Sequence, residues 1–115
     1  MEYIVIEKHE TEFLNPILLE IGERIIIGEE STAYPEWVYC KKIDNSNEGW
    51  VPKQIIKYES YYGIVLEDYY AKEMNVEEGV VLEGIKELNG WLWSKNKLTN
   101  ETGWVPLDKI KIKRL

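Results

Sequence analysis

Apolar and polar positions along this chain alternate in short runs. At 37–41 (WVYCK) and 91–95 (WLWSK) larger and smaller residues alternate with period two, which predicts half-buried strands. The segments 24–28 and 80–85 each follow a glycine and are rich in β-branched residues, so they predict strands as well. First strands are predicted at 4–7 and 64–67. Strands at 49–51 and 103–105 are each stopped by a proline, and 55–57 and 110–112 are predicted to be the last strands. Polar clusters at 44–48 (DNSNE) and 99–102 (TNET) predict the turns between them. Many short strands with no amphipathic helix point to small all-β units.

The pattern occurs twice. EGWVPKQIIK at 48–57 returns as TGWVPLDKIK at 102–111, a shift of 54 residues. The Trp37 and Trp91 strands match at the same shift. Gly22 and Gly79 match at a shift of 57, and Ile4-Val5 and Ile64-Val65 at a shift of 60. The growing shift places three extra residues of the first copy between Lys8 and Gly22, and three more between Gly28 and Trp37. Length changes between matched blocks are loop changes on a common framework. The repeat therefore predicts one unit at 1–58 and a second at 63–115, with a short linker at 57–62. That linker is poor in glycine, so the two units are expected to touch.

Composition narrows the function classes. The chain has 115 residues, 44% hydrophobic and 30% charged, which is globular composition. Its net charge of −7 disfavours nucleic acid and anionic membrane surfaces as partners. Residues 1–58 carry a net of −5 and residues 59–115 a net of −2, so the first half is expected to favour a basic partner. One cysteine, Cys40, cannot form an intramolecular disulfide. Charges interrupt the N-terminal MEYIVIEKHE, and no apolar run approaches a membrane helix. The cytoplasm is the expected location.

The order of strands, glycines, tryptophans and prolines resembles the Src homology 3 (SH3) family, of bacterial variant type, once per copy. That resemblance implies two tandem five-stranded SH3-like barrels in contact. The family's first-strand motif Ala-Leu-Tyr-Asp-Tyr corresponds to Val5-Ile6-Glu7-Lys8-His9 and to Val65-Leu66-Glu67-Asp68-Tyr69. Its Gly-x-aliphatic-Pro stretch corresponds to Gly49-Trp50-Val51-Pro52 and Gly103-Trp104-Val105-Pro106. The resemblance implies a first core of Ile17, Leu19, Ile25, Ile27, Val51 and Ile56. It implies a second core of Met74, Val76, Leu82, Val105 and Ile110. The family's small residue after the tryptophan falls on Cys40 and Ser94, which makes Cys40 a packed, inert thiol.

The resemblance also implies a ligand groove. The first copy supplies His9, Trp37, Trp50 and Pro52 to it, and the second Tyr69, Trp91, Trp104 and Pro106. Glu7, Glu67, Ile55 and Lys109 stand where the family has tyrosines, so half of the aromatic wall is replaced in each copy. An aromatic wall suits an extended proline-rich peptide. The competing structural role for Trp50 and Trp104 is packing between barrels. The expected partner is a protein or peptide, proline-rich or basic.

No set of groups converges on catalysis. His9 is the lone histidine and lacks the second histidine that a metal-binding helical pair needs. A Cys40–His9 nucleophile pair is disfavoured by the core position of Cys40. No catalytic residue, metal or cofactor is expected, and the sequence predicts a non-catalytic binding module. The competing readings are a module for cell-wall or surface polymer and a structural accessory subunit with a flat interface.

Overall fold

The computed structural model describes residues 1–114. The chain is all-β. In order, the strands are β1 (Glu2–Val5), β2 (Leu18–Leu19), β3 (Arg24–Glu30), β4 (Trp37–Lys42), β5 (Glu48–Pro52), β6 (Ile56–Tyr58), β7 (Gly63–Val65), β8 (Tyr69–Tyr70), β9 (Val81–Leu88), β10 (Trp91–Asn96), β11 (Thr102–Pro106) and β12 (Ile110–Ile112). Short 3-10 turns at Lys53–Ile55 and Leu107–Lys109 follow Pro52 and Pro106. Proline suits this place, because it presets φ near −60° and no backbone N–H is demanded of it.

These strands form two five-stranded antiparallel sheets, β11-β10-β9-β1-β12 and β5-β4-β3-β7-β6, and a two-stranded ribbon, β2-β8. The sheets are open, which replaces the expected closed five-stranded barrels. Closure requires the two edge strands to lie side by side over several residues. The edge strands β6 and β12 have three residues each, and neither is paired with the opposite edge strand of its sheet, β5 or β11.

The sheet order also divides the chain differently from the expected boundaries of 1–58 and 63–115. One compact unit is Asn15–Ala71, and the other is Met1–Leu14 with Lys72–Leu115. We call these the continuous and the split unit. β1 pairs with β12 and β9, through Tyr3 with Ile112 and Leu82 and Ile4 with Lys111 and Val81. β7 takes the same place in the continuous unit, through Gly63 with Tyr58 and Ile25 and Ile64 with Lys57 and Arg24. Each first strand is therefore paired with the other copy's remaining strands.

The two registers are equivalent residue for residue, so backbone hydrogen bonding does not choose between the two arrangements. Side-chain size does. In the split unit, Tyr3 lies over Gly84, where an added Cβ would stand 2.7 Å from Tyr3 Cε1. In the continuous unit the sizes are reversed. Gly63 occupies the position of Tyr3, and Ile27 that of Gly84; a Cβ on Gly63 would stand 2.8 Å from Ile27 Cδ1. Exchanging the two strands would set Tyr3 against Ile27, an overlap in a close-packed sheet, and Gly63 against Gly84, which leaves a void. Each mismatch costs on the order of 1–3 kcal/mol.

Beyond β1, the arm 1–14 is clasped at His9. His9 and Val76 exchange both backbone hydrogen bonds at 2.9 Å. The amide of Thr11 donates to Asn75 Oδ1 at 2.8 Å, and Lys109 Nζ donates to the carbonyl of Lys8 at 3.2 Å. Glu2 bridges Lys97 and Lys113, and the Lys97 ammonium holds the Glu2 carboxyl below the usual carboxylate range. The corresponding place in the continuous unit is the β2-β8 ribbon, where Leu19 stands opposite Tyr69.

The core of the split unit is Val5, Met74, Val76, Leu82, Leu92, Val105 and Ile110. In the continuous unit Ile17, Leu19, Ile25, Val38, Cys40, Val51, Ile55, Ile56 and Val65 are buried. Ile27, expected in this core, is only half-buried. It sits at the register shift between Ile27 and Glu30, where the bulge bends β3. Cys40 is fully buried, and burial pushes its thiol up to about 12. Its counterpart Ser94 is also fully buried and donates to the carbonyl of Gly103. The β9–β10 hairpin turns on Asn89 and Gly90, both at positive φ, the residue pair that a two-residue hairpin favours.

Candidate functional site

Alternation along β4 sends Val38 and Cys40 to the core and Trp37 and Tyr39 to the opposite face. On β5 the register sets Tyr39 opposite Trp50 and Trp37 opposite Pro52. The same spacing on β10 and β11 sets Trp93 opposite Trp104 and Trp91 opposite Pro106. Each unit thus carries an outer aromatic face, built because residues two apart on a strand share a side.

The two faces differ in accessibility. In the continuous unit, Tyr39 and Trp50 meet edge to face at 5.1 Å, and Trp50 remains 39% exposed. In the split unit, Trp93 and Trp104 meet at 5.4 Å, but Trp104 is only 8% exposed. The segment leading into Met74 runs along Trp104. The amide of Trp104 donates to the carbonyl of Lys72 at 2.9 Å, and the amide of Met74 donates to the carbonyl of Trp104 at 3.0 Å.

The candidate groove residues are regrouped by this fold. His9 joins Trp91, Trp104 and Pro106 in the split unit, and Tyr69 joins Trp37, Trp50 and Pro52 in the continuous unit. His9 stands edge-on to Trp91 with ring centroids 5.7 Å apart. Its Nε2 lies 2.7 Å from Glu73 Oε1, and both side chains are largely buried. Among the eight candidates, His9, Pro52, Tyr69 and Trp104 are buried, Trp37, Trp91 and Pro106 are half-buried, and Trp50 is exposed. Tyr39, Trp93 and Glu73 were not among the candidates. The period-two spacing from Trp37 and Trp91 identifies the first two. Only the fold brings Glu73 to His9.

Acidic groups lie on and beside the strands that carry the Trp50 face. Glu36 precedes Trp37 and Glu48 lies on β5 two residues before Trp50. Glu48 stands 3.9 Å from Lys41, and Glu30 holds Lys53 at 2.9 Å. Partial burial raises the Tyr39 phenol, and the neighbouring Glu48 charge adds to the rise, so the ring stays neutral. The continuous unit carries ten acids against five bases, and the split unit eleven against nine. Most of the negative charge therefore belongs to the unit with the exposed tryptophan.

Shallow, polar depressions flank the β4–β5 turn. One is lined by Asn15, Leu18, Lys42, Asn47 and Tyr70 with Pro16 and Ser46. Among the described residues, no group of three or more His, Cys, Asp or Glu is arranged to hold a metal ion. No helix among them is long and apolar enough to cross a membrane. Comparison with known proteins finds no matching family model, no matching curated protein and no matching solved structure.

Proposed function

We propose that this chain is a non-catalytic binding module of two SH3-like units. Its partner is a protein or peptide segment bearing basic side chains, engaged by the outer aromatic face of the continuous unit. The observation that carries this reading is Trp50, 39% exposed beside Tyr39 in the unit with a net charge of −5. An exposed tryptophan among carboxylates offers an arginine or lysine both a ring face and a counter-charge. The SH3-like reading rests on the five-stranded sheet of each unit and on the Gly-x-aliphatic-Pro stretch carried by β5 and β11. The proline-rich alternative is weaker, because Pro52 and Tyr69 are buried and the groove needs them as open walls.

An array of short basic and short proline-rich peptides, probed with the chain and with its Trp50→Ala and Glu48→Lys variants, tests the proposal. Binding to basic peptides should weaken at least tenfold on Trp50→Ala, the loss expected of a central aromatic anchor. It should weaken also on Glu48→Lys. Equal binding by all three forms would remove the site from this face, and a preference for proline-rich peptides would return it to the groove.

A further inference from the structure

We propose that the arm 1–14 exchanges between two copies of this chain, giving a reciprocal dimer in which each arm completes the split unit of the other copy. The arm's strand β1 is no edge decoration. It lies between β9 and β12 and contributes Val5 to the core. Yet along the chain it is separated from every strand it pairs with by the 57 residues of the continuous unit. That unit contains its own first strand, β7, which is tied to β6 by a short turn closed by the Glu59 amide on the Tyr62 carbonyl at 2.8 Å. β7 is thereby held to its own sheet, whereas β1 is joined to its sheet by noncovalent contacts alone among the paired strands.

An arm of this kind makes the same contacts in a second copy that it makes in its own, so exchange leaves the strand energies unchanged and trades only chain entropy against concentration. The fit between Tyr3 and Gly84 directs the incoming arm. In the continuous unit Ile27 stands where Gly84 does in the split unit, so a second copy's arm has one place to go. Reciprocal exchange closes the assembly at two copies and leaves no open end. The point at which the arm must swing is the stretch that leaves the His9 clasp, where Phe13 is 62% and Leu14 90% exposed.

Two full-length variants in a Cys40→Ser background, each with one introduced cysteine, test the exchange, Glu2→Cys on one chain and Glu83→Cys on the other, distinguished by an affinity tag. These positions are directly opposed in the β1–β9 register, within disulfide reach. The two chains are unfolded together, refolded at high concentration and oxidised. The expected result is a species of twice the 13.6 kDa chain mass, containing one chain of each kind joined between residues 2 and 83. The opposed pair Ile4→Cys and Lys111→Cys should give the same product. Folded chains that stay at single mass at every concentration would overturn the proposal. So would a dimer in which neither cysteine pair joins the two chains.

Discussion

The two units are built from copies of one pattern, yet they are held together differently. The continuous unit has all five sheet strands on one uninterrupted segment, Asn15–Ala71. The split unit has the same sheet order and register but takes one interior strand, β1, from a segment that lies before the entire continuous unit. The difference teaches that a repeated sequence need not fold as adjacent repeats. Where two registers are equivalent, a single pair of side-chain volumes can decide which strand goes to which sheet.

The largest expected effect comes from removing residues 1–14. The split unit then loses the strand between β9 and β12, while the continuous unit keeps every strand it uses. Hydrogen exchange should show amides of β9 to β12 losing protection, with those of β3 to β7 retaining it. Uniform loss across both units would break the comparison.

Gly84→Ile should come next. It places a side chain where Tyr3 already stands and should destabilise the split unit by about 3 kcal/mol in urea unfolding. Adding Tyr3→Gly should return part of that loss, with a coupling of about 1–2 kcal/mol, because the pair then reproduces the Gly63–Ile27 arrangement. Additive losses would mean that the two residues do not interact.

The strands themselves were legible. The period-two runs at 37–41 and 91–95 and the proline stops at Pro52 and Pro106 place four of the strands within a residue or two of their observed limits. The exchange of first strands was not legible, because Ile4-Val5 and Ile64-Val65 present the same apolar pattern to either sheet. Tyr3, Gly63, Ile27 and Gly84 carry the distinction, but their sizes acquire meaning only once the register sets them face to face. The candidate site was legible as a set of aromatic residues and not as a surface. That Trp50 is open and Trp104 covered depends on the segment 72–74, whose backbone bonds leave no trace in side-chain pattern.

The tryptophan pair gives the next contrast. Trp104→Ala should cost about 3–5 kcal/mol, the range for deleting a buried large aromatic side chain. Trp50→Ala should cost about 1 kcal/mol, because much of that ring already meets water. Equal costs in chemical denaturation would show that the two faces are packed alike.

The last contrast concerns Cys40 and is confined to alkaline pH. Burial raises its thiol to about 12, so the folded state keeps the proton after the unfolded state has lost it. The contribution is fully present below the unfolded value near 9 and declines as pH rises from there towards 12. Relative to Cys40→Ser, the native chain should lose about 1.4 kcal/mol per pH unit in that window. The thiol should also resist alkylation until the continuous unit opens. A parallel pH dependence in the two forms would show that the thiol is not sheltered.

The pairing of β1 is tested most directly by cross-strand nuclear Overhauser effects from the backbone protons of Ile4. The account predicts contacts from Ile4 to Lys111 and to Val81. Contacts from Ile4 to Lys57 and Arg24, the partners that Ile64 holds in the continuous unit, would contradict it and restore two adjacent repeats.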